Sequence, residues 1–146
     1  MVLLFTGEPG ARGPVSENVT IRVFLCDDVP EFRALVRFSF EEDARLEVVG
    51  EACDGIACVS GVSDVQPDVV LLDLSMPRCD GLEVIPLVRQ VAPGCAVIVL
   101  SGFSASRLAP QVMAAGAHAY LEKGESFAVI QRAVHEVAGR EGPAPV

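Results

Sequence analysis

Residues 68–91 read DVVLLDLSMPRCDGLEVIPLVRQV. Val69, Val70, Leu71 and Leu72 are consecutive apolar residues with no polar alternation, the pattern of a short strand buried on both faces. The run stops at Asp73, with the strand taken as 68–73. The loop LSMPRCD then leads to Asp80, a side chain suited to capping the helix that the spacing predicts over 81–91. Pro86 falls inside that helix and is expected to kink it or free a carbonyl. A doubly buried strand joined by a short loop to a helix is one βα unit of an α/β domain.

Working outward, the same unit recurs. IRVFLC supplies a first strand at about 20–26, followed by Asp27-Asp28 and by a helix that opens near Pro30, where a missing N–H is harmless. Phe32, Leu35, Val36 and Ser39 mark its inner stripe. LEVVGEA (46–52) is the second strand, and Asp54 caps a helix running toward Val62. AVIVL carries the fourth strand (95–100) and ends at Ser101. Ser104 or Ser106 caps the fourth helix, with Pro110 near its first turn. AGAHAYL carries the fifth strand, ahead of Lys123, and a fifth helix spans about 125–138 with Phe127, Ile130, Val134 and Val137 on one face. Five βα units predict a single doubly wound (βα)5 domain with a parallel sheet and helices on both faces. Residues 1–18 read as a disordered leader, 19–139 as the domain, and 140–146 as a flexible tail.

Composition narrows the function. The chain has 146 residues and a formal charge of −9, which argues against direct binding to nucleic acid or an anionic membrane. No run approaches the roughly 20 apolar residues of a membrane span, and MVLLF lacks the basic flank and length of a signal peptide. A cytoplasmic location follows as the expectation. The five cysteines, Cys26, Cys53, Cys58, Cys79 and Cys95, include no C-x-x-C pair and are read as reduced thiols.

The strand ends carry the chemistry. In an open parallel sheet, ligand sites form outside the carboxyl ends of the strands. Asp27, Asp28, Asp73, Ser101 and Lys123 all fall there. Lys123 is the only lysine beside ten arginines, so a compact point charge is singled out at this position. Adjacent carboxylates need a compensating cation, and Mg²⁺ prefers hard oxygen ligands: Asp28, Asp73 and a backbone carbonyl near Ser75. Asp73 is placed to attack a phosphoryl donor and form an acyl phosphate. Lys123 and the Ser101 hydroxyl would meet the phosphoryl oxygens, and Gly102 would leave room for the group. Each residue also has a plain structural explanation. Asp27 and Asp28 could cap the first helix, Ser101 could be a polar strand end, and Lys123 a solvated turn lysine. Their joint placement is what favours a site.

Asp27-Asp28, VVLLDLSMPRCDGLEVI, Ser101-Gly102 and AGAHAYLEKG together resemble the receiver domain of bacterial two-component response regulators, of the CheY-like kind. The resemblance covers residues 20–138, and LEVVGEACDG and DLSMPRCDG are closest in style to the NarL/FixJ-type subgroup. It implies a flavodoxin-like sheet of order 2-1-3-4-5. It implies Asp73 as the phosphorylated residue, Mg²⁺ held directly by Asp28 and by Asp27 through water, and Ser101 as a hydroxyl that moves toward the phosphoryl group. Tyr120 would be an aromatic switch that turns inward with it. A sensor histidine kinase would be the donor. The face formed by the fourth helix, fifth strand and fifth helix would bind a downstream protein or a second copy, a homodimer being one outcome. Such a chain is a signalling protein that catalyses only its own phosphoryl transfer and dephosphorylation.

Two features depart from the family pattern, and Phe103 and Ser75 occupy positions that vary within it. Gly124 follows Lys123 where many receivers have proline. His118 replaces a frequent glycine, with an exposed ring expected. Phe103 is expected to shield the acyl phosphate. NarL-type regulators usually continue into a DNA-binding domain, so the expectation here is a stand-alone receiver, with the receiver half of a DNA-binding transcription regulator as an alternative. A phosphate-independent interaction module is another. A phosphohydrolase of the haloacid dehalogenase type would need a second acid where Ser75 stands.

Overall fold

The computed structural model describes residues 2–4, 19–76, 80–102 and 105–139. In chain order the elements are β1 (Val2–Leu4), β2 (Ile21–Cys26), α1 (Pro30–Phe40), β3 (Leu46–Ala52), α2 (Gly55–Val65) and β4 (Val69–Asp73). They continue with α3 (Gly81–Val91), β5 (Ala96–Ser101), α4 (Ala105–Ala115), β6 (Ala119–Glu122) and α5 (Phe127–Ala138). Five parallel strands stand in the order β3-β2-β4-β5-β6, which is the expected 2-1-3-4-5 arrangement.

Side chains alternate across a strand, so a strand apolar throughout feeds two cores. Val70, Leu72, Val97 and Val99 pack on one face beneath α2, α3 and α4, with Val62, Val84, Val88 and Val112. Val69, Leu71, Ile98 and Leu100 pack on the other against α1 and α5, with Val36, Phe40, Ile130 and Val134. The helix starts follow the capping residues. Asp54 accepts from the Ala57 amide, Asp80 from Leu82, and Ser126 from Val129. Pro86 lies inside α3. Pro110 lies in the second turn of α4 and not near its first; Ser104 is outside the described residues.

Other expectations need correction. Val2–Leu4, assigned to a disordered leader, form β1, which pairs antiparallel with β6 in the register Val2↔Leu121, Leu3↔Tyr120, Leu4↔Ala119. A three-residue run is too short to announce itself; the open backbone edge of β6 supplies the pairing. Leu35 is 53% exposed, and the apolar stripe of α1 runs instead through Val36 and Phe40. Cys26 and Cys58, expected as reduced thiols, are joined in a disulfide although 32 residues apart. Cys53 is free and exposed and Cys95 free and buried. Residues 77–79, with Cys79, and residues 140–146 lie outside the described residues.

His118, expected on the surface, is 2% exposed. Its Nδ1 accepts the Val97 amide at 3.0 Å, and its own amide donates to the Val97 carbonyl at 2.7 Å. Burial, with the Arg89 guanidinium nearby, pushes the ring pKa down to about 4. A lowered pKa on a base means the unfolded chain takes up the proton first. The contribution to stability is therefore complete above the ordinary value of 6.5 and is lost as pH falls toward 4. Over that span the loss amounts to roughly 3 kcal/mol. Urea melts at neutral pH and near pH 4.5 are expected to show it as a lower midpoint, with a flatter pH dependence in His118→Gln.

Candidate functional site: an acid pocket at the strand ends

β2 and β4 are neighbours, with Cys26 opposite Leu72, so the residues that follow, Asp27 and Asp73, emerge side by side. Asp27 and Asp73 are buried and Asp28 is exposed. One carboxylate oxygen from each of the three lies within 4.8 Å of the others. The Oδ1 atoms are used locally. Asp27 Oδ1 accepts from the Val29 amide at 2.8 Å, and Asp73 Oδ1 from the Ser75 amide at 3.0 Å.

The two Oδ2 atoms differ. They are buried and accept no well-aligned hydrogen bond, yet both face the Lys123 ammonium, at 2.9 Å from Asp27 and 3.3 Å from Asp73. β6 delivers this lysine: its strand lies beside β5, and the Lys123 amide donates to the Ser101 carbonyl at 2.8 Å. Burial pushes the Asp73 carboxyl up, and the charge of Asp27 adds to this; the Ser75 amide and Lys123 only partly offset it. For Lys123, burial opposes the charged form, but Asp27 and Asp73 outweigh it and hold the ammonium above its usual range.

Of the other expected site residues, Ser101 is fully buried at the end of β5 and Gly102 is exposed beside it. A Cβ on Gly102 would meet nothing within 4 Å, so the space there is open whatever residue holds the position. Tyr120 is 0% exposed and packs in the core beneath α4 with Ala109, Val112 and Ala117. It occupies the inward position in an unmodified chain. No cis peptide occurs among the described residues, so Lys123–Gly124 is trans. Phe103 is outside the described residues.

Two participants were not read from the sequence. The Lys123 ammonium stands 4.9 Å from the centroid of the Phe32 ring, which in turn lies 6.3 Å from Phe127. Such a cation–π contact favours the charged form where the aromatic face is partly desolvated. Arg33 donates to the Asp27 carbonyl and pairs with Glu51 at 3.0 Å. Both sit in the first turn of α1, directly after the acid pair, and their distance in sequence from the acids was the available signal.

The carboxylate set suits a hard divalent cation. Two buried Oδ2 atoms without a proper donor, within reach of an exposed third acid, are oxygen ligands of the kind Mg²⁺ takes alongside water.

A doubly wound sheet with an acid pocket and a lysine at the ends of its strands defines a class of signalling domain, and the comparisons agree. Residues 23–135 match the response regulator receiver domain family. The chain is 35% identical over 126 residues to a probable transcriptional regulatory protein NarL of Mycobacterium tuberculosis strain H37Rv, covering 86% of this chain and 58% of that one. It is 36% identical over 100 residues to a transcriptional regulatory protein, YhcZ, of Bacillus subtilis, covering 68% and 47%. The solved signal receiver domain of NarL from M. tuberculosis superimposes with a TM-score of 0.78 at 33% identity, covering 82% of this chain and 97% of that one. The chain belongs to the response regulator receiver domain family and is similar to NarL-type members. It spans about half the length of these regulators. No helix among the described residues is long and apolar enough to cross a membrane.

Proposed function

We propose that this chain is a phosphorylation-controlled switch in which Asp73 is the phosphoacceptor. The observation that carries the reading is the pair of buried Oδ2 atoms of Asp27 and Asp73 facing a single ammonium. Asp28 and Asp73, with the Ser75 carbonyl, would hold Mg²⁺, and Asp27 would reach it through water. When bound, the ion supplies positive charge to the transferring phosphoryl oxygens. The carboxylate of Asp73 attacks the donor phosphorus, the bond from phosphorus to the donor nitrogen breaks, and an acyl phosphate remains. Lys123 is already at the acceptor oxygen and takes up one phosphoryl oxygen. Ser101 takes another, beside the open space at Gly102.

The output follows from the position of Tyr120. Because it is already inward, phosphorylation would act by holding Ser101 and Tyr120 in that arrangement and narrowing the alternatives, which is a population shift. The surface so selected is that of α4, β6 and α5, where a downstream protein or a second copy would dock. A histidine kinase as donor is supported by the apolar surface of α1, which starts at the pocket: Val29, Leu35 and Phe38 are exposed, Phe38 by 66%. A cytoplasmic setting goes with that donor.

Incubating the full chain with a small phosphodonor and Mg²⁺ is expected to add one phosphoryl group by intact mass, and omission of Mg²⁺ to prevent it. Folded protein that gains nothing from the small donor or from any phosphohistidine donor would overturn the reading in favour of a phosphate-independent interaction module.

A further inference from the structure

The Cys26–Cys58 bond takes no part in the phosphoryl chemistry, yet one of its ends immediately precedes Asp27. The packing that creates it is specific. Phe24 and Cys26 are two apart on β2 and enter the same core; Cys58 and Gly61 are three apart on α2 and share a face. A Cβ on Gly61 would come within 2.5 Å of the Phe24 ring, and one on Gly50 within 2.6 Å. The absence of side chains at these two glycines makes room for the ring and lets α2 come down onto β2. At that approach the Cα atoms of Cys26 and Cys58 are 5.9 Å apart, within the span of a disulfide.

We propose that Cys26 and Cys58 form a reversible redox latch that pins α2 to the strand end carrying Asp27 and Asp28, and that the closed latch tightens the hold of the acid pocket on a divalent cation. The cation clause rests on the reading of the pocket given above; the latch does not. In closing, two thiols lose two protons and two electrons as one sulfur–sulfur bond forms. A small disulfide of the glutathione class accepts the electrons and leaves as two thiols. A dithiol reverses the exchange. Both sulfurs are buried, Cys26 at 1% and Cys58 at 0% exposure, so exchange requires α2 to lift. Gly61 within α2 weakens the helix, and Ile56 in its first turn is 68% exposed.

The test uses the full chain, reduced with a dithiol, desalted, and then held with oxidised glutathione. Denaturation and alkylation should modify all five cysteines of the reduced form and three after oxidation, with peptide mapping joining Cys26 to Cys58. The closed form should melt about 5 °C higher, and reductant should abolish the difference. Cys58→Ala should remove both effects. Calorimetric titration should give a Mg²⁺ midpoint lower by about two- to fivefold in the closed form. Five alkylated cysteines after oxidation, or a bond mapped to Cys53 or Cys95, would overturn the latch. A mapped bond with equal Mg²⁺ midpoints would overturn the coupling alone. A mapped bond with Mg²⁺ bound by neither form would confirm the latch and count against the phosphoacceptor reading.

Discussion

Asp73→Asn is expected to abolish phosphoryl incorporation, a fall of about 10³-fold or more, while leaving the chain folded. An amide matches the carboxylate in shape but is not a nucleophile toward phosphorus. Intact mass after exposure to a phosphodonor and Mg²⁺ checks the loss. A thermal melt checks the second half, and its sign can be derived. Asp73 is 1% exposed and its carboxyl is pushed up by burial and by Asp27. An acid whose pKa is raised on folding favours the unfolded chain at neutral pH, where it is ionised. Removing that charge is therefore expected to leave the melting temperature unchanged or raise it. A variant that loses phosphorylation and melts many degrees lower would mean that Asp73 is a structural carboxylate, held by Lys123 for packing.

Gly81→Ala is expected to produce the largest loss of stability from adding a single methyl group. Gly81 is buried at the first position of α3, and a Cβ there would stand 2.7 Å from the Leu74 Cα and 2.9 Å from the Leu74 carbonyl oxygen. Backbone cannot step aside as a flexible side chain would, and overpacking of this sort costs about 1–3 kcal/mol. Leu74 follows Asp73 and donates its amide to the Leu100 carbonyl at 3.2 Å. The strain is thus delivered to the turn that orients the Asp73 carboxylate. Denaturant melts should show a lower midpoint, and phosphorylation should slow in the protein that remains folded. Equal stability of Gly81→Ala and the parent would mean that α3 can slide away from β4 without cost.

The parallel strands and the acid pocket were legible because each depends on a local signal: an uninterrupted apolar run, and a charged residue where it stops. Asp54 and Asp80 were legible as caps for the same reason, since a cap acts within three residues of itself; Ser126, which caps α5, was not singled out. What the sequence concealed depends on groups far apart in the chain. His118 looks like a surface residue until β5 is placed beside it and the Val97 amide is found to need its Nδ1. Leu35 and Phe32 belong to one helical stripe by spacing, yet one faces solvent and the other lies against the Lys123 ammonium. Cys26 and Cys58 have no motif in common, and only the close approach permitted by Gly50 and Gly61 makes them partners. Tyr120 was expected to turn inward on phosphorylation, whereas it is already buried in the core of the unmodified chain.

The direction of β1 has a practical consequence for handling this protein. Because it runs against β6, Val2 stands opposite Leu121, two residues before Lys123. Any affinity tag or fluorescent fusion placed ahead of Val2 departs from the end of the sheet that carries the acid pocket, beside α4. Labels for interaction measurements belong after Gly139, where α5 has ended, and kinetic comparisons between tagged preparations need the tag at the same end.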